Sequence, residues 1–223
     1  MVRQERAAAT RRAILDVAVE LFSERGFGGT NLNQIIRRAR ITPGAFCYHF
    51  SSKDEVAFAI IDEVAEGTAA LRNAYLGIPE SGLENVIEMT FQLGMLLGQN
   101  RSYWVAAYLE HTMARHSQKG LREAAERVEA FAVDVTRAIR VSELRDGLSA
   151  DHAARTMVSV VYGSLAMTGL AAGERTAGDV GARLVECWRV LLPGVVPGEL
   201  LSHFQNVLTE LAVRYHGLDA AGA

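Results

Sequence analysis

The chain has little that would cross-link or break it: two cysteines, Cys47 and Cys187, and four prolines in 223 residues. Two cysteines behind an amino terminus unlike a signal peptide argue against a disulfide scaffold and fit a reducing, cytoplasmic setting. Strand-like alternation of apolar and polar residues is missing at any useful length, so a sheet-based fold is not expected. Long apolar runs are scarce as well. The one uncharged stretch that invites comparison with a membrane span, Thr156–Gly173, is eighteen residues diluted by Ser, Thr and Gly. It reads as a buried helix, and no membrane partner is expected.

Catalytic signatures are also lacking. The six histidines (His49, His111, His116, His152, His203 and His216) form no His-Glu-x-x-His, and the five-residue step from His111 to His116 does not align two ligands on one helix face. There is no Walker lysine loop, no Gly-x-Ser-x-Gly elbow and no Cys/His zinc spacing. Neither an enzyme, a metal nor a cofactor is expected. A helical interaction protein whose basic end meets a partner other than DNA is the competing reading.

What is present is a lopsided charge. Through Lys53 there are nine Lys/Arg against four acids, a net of +5; because the whole chain carries −3, the other 170 residues must carry −8. A basic head that meets a polyanion and an acidic body that does not is the natural reading.

Apolar spacing predicts helices nearly throughout, hence an all-α fold. The first spans about 8–25, with Ile14, Leu15, Ala18, Leu21 and Phe22 at helical intervals and Gly26 as its stop. Asn31 and Gln34 make a capping box for a helix over 32–39. Thr42 caps a short helix over 43–49, with Pro43 at its first position, where a missing N–H costs nothing. Ser52 with Glu55 opens a fourth helix, carrying Val56, Phe58, Ile60 and Ile61 toward an exit at Gly77, Pro79 and Gly82. Further helices are predicted near 83–98, 102–115, 119–140, 151–171, 177–192 and 198–215, with Pro193 and Pro197 separating the last two.

The two short helices, 32–39 and 43–49, are joined by Arg40-Ile41-Thr42, the length of a helix-turn-helix connection. In that arrangement the second helix enters the major groove while the first crosses the backbone. Gly44 is small where the helix must approach DNA, and Tyr48, His49 and Lys53 are placed for phosphate.

The run T-N-L-N-Q-I, then A-x-I-T-x-G-A-F-x-Y-H-F-x-S-K-D-E, resembles the DNA-binding domain of the tetracycline-repressor (TetR) family over roughly residues 10–60. The spacing of Gly44, His49, Phe50 and Lys53 is its specific part. The resemblance implies an all-helical homodimeric repressor released from an operator by a small molecule. It places Asn31 at the cap of the second helix, Thr42 and Gly44 at the groove, Lys53 on phosphate, and Ile41, Phe46 and Phe50 in the small core. With these, Arg3, Arg6, Asn33, Pro43, Cys47, Tyr48 and His49 complete the expected DNA-contacting set. Two positions depart from the family pattern: Pro43 stands where a lysine is common, and Cys47 where a tyrosine is usual. Cys47 is either a redox-sensitive contact or simply a tolerated small residue.

Beyond the head, Met and aromatic residues suit either a core or an apolar cavity with a few polar handles. With a DNA head attached the cavity is the stronger expectation, lined by Met89, Leu93, Leu96, Trp104, Tyr108, Thr112, Val158, Tyr162 and Ser164. Small residues on 151–171 (Gly163, Ser164, Ala166, Gly169, Ala171) and an apolar side on 177–192 (Val180, Leu184, Cys187, Trp188, Leu191) are expected to pair two copies as a four-helix interface. The organisation is then a helix-turn-helix domain over 1–53, a fourth helix over 52–76 as connector, a ligand-binding and dimerisation domain over 54–216, and a flexible tail over 217–223.

The amino-terminal RQERAAATRRAILDVAVELF, the KDEVAFAII segment and the late ECWRVLLPGVVPG are similar to the gamma-butyrolactone autoregulator receptors of actinomycetes. That narrower resemblance implies a gamma-butyrolactone-type signal controlling secondary metabolism. The tryptophan those receptors carry in mid-domain has no counterpart near 121–130, which keeps a regulator of an antibiotic or biosynthetic intermediate as the alternative.

Overall fold

A computed structural model describes residues 2–170 and 177–217, with side chains at 4–165, 179–215 and 217. Among them are ten α-helices, one short 3-10 turn over Val141–Glu143, and no strand. The helices are α1 (Val2–Arg25), α2 (Leu32–Arg38), α3 (Pro43–His49), α4 (Lys53–Leu76), α5 (Leu83–Gln99), α6 (Arg101–His116), α7 (Gln118–Ala138), α8 (Ala150–Leu170), α9 (Ala177–Val195) and α10 (Gly198–His216). Among the described residues no helix is long and apolar enough to cross a membrane.

Local chemistry explains most boundaries. Gly26 ends α1 at a φ of +70°, a left-handed value that glycine adopts without strain. Asn31 and Gln34 form the predicted capping box on α2. Thr42 Oγ1 accepts from Ala45 N on α3, and Ser52 Oγ accepts from Glu55 N on α4. The Glu55 carboxylate reaches back to Ser51 N at 2.6 Å rather than to the cap itself. One late expectation fails, and one element was not foreseen. α9 runs through Pro193 to Val195: the proline gives up its N–H bond and crowds the carbonyl of Arg189 one turn earlier, but the chain stays helical for two more residues, and Pro197 alone separates α9 from α10. The 3-10 turn has no apolar period to announce it; buried Glu143 holds it by accepting from Leu83 N and Arg140 N.

The apolar residues divide into two cores. The body core centres on Phe91, Phe131, Trp188 and Phe204, and Trp188 Nε1 donates to Thr90 Oγ1 at 2.9 Å inside it. The head core joins Ile14, Phe22, Ile35, Phe46 and Phe50 to Val56, Ile60 and Ile61 of α4 and to Val105, Ala106, Leu109 and Met113 of α6. The head is therefore completed by body helices, and the chain division near residue 53 does not coincide with a division of the core.

The expected pairing face on α9 turns inward. Val180, Leu184, Trp188 and Leu191 are buried in the protomer's own core, because α9 must cover α5 and α8. What α8 and α9 expose instead includes Val160, Gly163 and Val190. The side chains of Ala166 and Gly169, the whole of Ala171 and the tail from 218 lie outside the described residues.

Candidate nucleic-acid interface and ligand cavity

The turn between α2 and α3 is built by backbone geometry. Arg40 N donates to Arg37 O and Ile41 N to Ile36 O, the paired bonds of a Schellman motif. Arg40 occupies its left-handed position at φ +54°, where glycine is the usual choice. An arginine there costs about 1 kcal/mol in backbone strain and keeps a positive charge at the turn.

α3 buries Phe46 and leaves Thr42, Pro43, Gly44, Cys47 and Tyr48 facing outward, Tyr48 at 74% exposure. Gly44 is informative. Apart from its chain neighbours and the backbone of its own helix, no heavy atom lies within 4 Å of where a Cβ would stand, so nothing packed against α3 requires glycine there. Tyr48 packs edge-on to half-buried His49 with centroids 4.9 Å apart. Asn31 is engaged in capping, Asn33 and Arg6 are exposed, and the Arg3 side chain lies outside the described residues. Cys47 is an exposed free thiol.

Not every positive charge of the head is unengaged. Arg38 forks onto Glu24 and reaches Glu20, and Arg12 pairs with Asp16 and Glu63. Lys53 is turned toward the protein. Its Nζ donates to Phe27 O at 2.7 Å and Thr30 O at 2.8 Å, and lies 4.0 Å from the Phe27 ring centroid.

The body holds a cavity of about 800 Å³ walled by α4, α6 and α7, with Met89, Leu93 and Leu97 of α5 and Tyr162 and Leu165 of α8. That volume suits a drug-sized molecule. Seven alanines make the space: Ala65 and Ala69 on α4, Ala106, Ala107 and Ala114 on α6, Ala124 and Ala130 on α7. Its polar lining includes Asp62, Glu66, His111, Glu123 and Glu126 as well as Glu110, which accepts from Arg127 Nε at 2.5 Å and from the Tyr162 hydroxyl. Burial, then the Glu110 charge, pushes the Tyr162 phenol well above the usual tyrosine range. Arg72 contributes a second guanidinium, with Nε 3.1 Å from Asp134 and little solvent exposure.

Of the expected lining, Met89, Leu93 and Tyr162 face this cavity. Leu96, Trp104, Tyr108, Thr112, Val158 and Ser164 are not part of its wall. Trp104 and Tyr108 pack against the head core, Val158 sits in the body core, and the Thr112 hydroxyl bonds back to Tyr108 O. Glu110, Arg127 and Arg72 escaped the sequence reading, which looked for Met and aromatics. The available signal was the stripe Tyr103, Ala107, Glu110, Ala114 along one side of α6, three or four residues apart, small residues interrupted by one carboxylate.

The fold and this site define an all-helical helix-turn-helix protein with a hollow helical body. Residues 14–60 match the family described as bacterial regulatory proteins, tetR family. The chain carries that match across α1, α2, α3 and the start of α4. It is 43% identical over 63 residues to the A-factor receptor protein of Streptomyces griseus, covering 28% of this chain and 23% of that one. It is 41% identical over 63 residues to the transcriptional regulator AcrR of Shigella flexneri, covering 28% and 29%. These matches span less than a third of either relative's length. Among solved structures, a gamma-butyrolactone receptor described as ArpA-like is similar over 94% of this chain and 99% of that one, with a TM-score of 0.73 and 26% identity. The TetR family protein CprB from Streptomyces coelicolor, solved in complex with its operator, gives 94%, 99%, 0.71 and 26%. These relatives are regulators by name rather than enzymes.

Proposed function

We propose that the chain is a ligand-responsive transcriptional repressor that binds a near-palindromic operator as a homodimer. A small apolar molecule of gamma-butyrolactone type, signalling in secondary metabolism, releases it. The observation that carries this reading is α4, which begins at the head with Lys53 and lends Ile61, Val64, Ala65, Thr68, Ala69 and Arg72 to the cavity wall. One rigid helix thus touches both sites, so a ligand that favours one setting of α4 shifts the population of DNA-competent heads.

On DNA, Thr42, Pro43, Gly44 and Cys47 meet the major groove, while Arg3, Arg6, Asn33, Tyr48 and His49 meet the backbone. Pairing uses the outward residues of α8 and α9, and a two-fold dimer sets its reading helices about 34 Å or a multiple apart. The name of the ArpA-like neighbour supports a butyrolactone-type signal. A second reading has its own support: no tryptophan lines the cavity, since Trp104 packs on the head core and Trp188 is buried against Thr90. That wall suits an antibiotic or biosynthetic intermediate equally. A gel shift on the protein's own upstream region, with synthetic butyrolactones and local biosynthetic products added singly, separates the two. Release by none of them sinks the ligand-responsive reading.

A further inference from the structure

The loop over residues 26–30, which joins α1 to α2, is gripped from two directions. From α4, the Lys53 ammonium donates to Phe27 O and Thr30 O and sits over the Phe27 ring. From α6, the Tyr108 hydroxyl accepts from Phe27 N at 3.1 Å, and a Cβ on Gly26 would stand 3.1 Å from that same oxygen. Thr30 ties the loop to α1 as well, its hydroxyl donating to Leu21 O at 3.2 Å. The next residue, Asn31, is the cap of α2.

An ammonium has three N–H donors. Two of Lys53's are occupied by carbonyls and its charge lies on an aromatic face, so the side chain is half-buried where a phosphate ligand would be extended. The two gripping helices are also cavity walls, Ile61 and Ala65 on α4, Ala107 and Glu110 on α6. Any change in the spacing of α4 and α6 pulls Lys53 and Tyr108 apart across this one loop.

We propose that Lys53 and Tyr108 are positioning residues that fasten the α1–α2 loop to the two cavity helices. In this role Lys53 orients the reading head instead of neutralising a phosphate. The loop becomes the joint through which α4 and α6 set the placement of α2. This rests on the DNA-binding reading of the head.

The test uses the full-length protein with Lys53→Met, Tyr108→Phe and the double variant. Amide exchange of residues 27–31 is measured without DNA, and binding to the protein's own upstream fragment is measured across salt concentrations. Each single variant speeds loop exchange by at least about tenfold, as expected for losing a hydrogen bond that holds a local segment. Lys53→Met weakens binding at every salt concentration while leaving the slope of log affinity against log salt unchanged. Tyr108→Phe weakens binding in the same way without changing any charge, and the double variant loses less than the two singles together. A slope that falls by about 0.9 per lost phosphate contact, with loop exchange unaltered in Lys53→Met, overturns the proposal. If Lys53→Met does not fold, Tyr108→Phe decides: unaltered exchange and affinity refute the joint. If wild-type protein binds no upstream fragment, the DNA-binding reading fails, and the exchange arm still decides whether the tethers exist.

Discussion

Gly44 offers a perturbation in which stability and binding should move in opposite directions. It occupies the second position of α3, and a Cβ added there meets open space. Replacing glycine by alanine inside a helix gains about 0.5–1 kcal/mol from reduced backbone freedom, and near a helix start the lower end applies. At about 2–4 °C per kcal/mol for a chain of this size, Gly44→Ala raises the melting midpoint by about 1–2 °C. Gly44→Leu should fold as well as the wild type, because its side chain projects into solvent. On DNA the same side chain stands between α3 and the groove floor. Displacing the helix from one or two base contacts at about 1–3 kcal/mol each weakens operator binding at least roughly 5- to 150-fold. Thermal melts followed by circular dichroism, paired with gel shifts on one promoter fragment, give both numbers. Lowered melting in Gly44→Ala, or undiminished operator affinity in Gly44→Leu, refutes the argument that glycine is there for DNA.

Other positions carry independent predictions. Arg40→Gly relieves the left-handed arginine and raises stability by about 1 kcal/mol; a fall in the urea midpoint would show that the side chain earns its place structurally. Trp188→Phe removes the bond to Thr90 and leaves a void, costing about 1–3 kcal/mol, and an unchanged urea midpoint would contradict the buried placement. Tyr162 titrates above ordinary phenols, so the contribution of its raised pKa to stability is fully present below the ordinary tyrosine pKa and is lost progressively as pH rises from there through the higher folded value. In absorbance titrations at 295 nm, compared with Tyr162→Phe, Glu110→Gln should lower the Tyr162 midpoint only part-way, because burial is the larger cause. A midpoint equal to that of the exposed tyrosines in the wild-type chain would refute this. Leu93→Trp fills the cavity and should leave operator binding intact while removing release by any ligand that acts on the wild type; retained release would place the ligand elsewhere.

Much of the architecture was legible because it is written in local signals. The Asn31 box, the Thr42–Pro43 start and the Ser52 cap are short-range chemistry, and each appears where the spacing put it. The expectation for α9 failed at Pro193 because a proline disturbs the turn before it, at the cost of one hydrogen bond, and leaves the residues after it free to stay helical. Orientation was less readable than existence. Tyr108 and Glu110 are two residues apart on α6, and composition alone favours the aromatic as cavity lining. In the fold Tyr108 meets Phe27 of the head and Glu110 meets the cavity, a choice made by which helices flank α6. Val180, Leu184 and Leu191 show the same limit: an apolar stripe reports that a face is covered, not whether its cover is the same chain or a second copy. Lys53 was readable as a basic residue at a helix start, but its two carbonyl partners lie 23 and 26 residues earlier in the chain and leave no local trace.

The central claim is that the outward face of α3 reads DNA as one half of a two-fold pair. Footprinting of the full-length protein on its own upstream region tests this most directly. The account predicts protection of a near-palindrome whose half-sites are spaced by one helical turn or a multiple of it, lost in Gly44→Leu and weakened steeply by salt. Binding without a discrete protected site, or protection that survives Gly44→Leu, would contradict it.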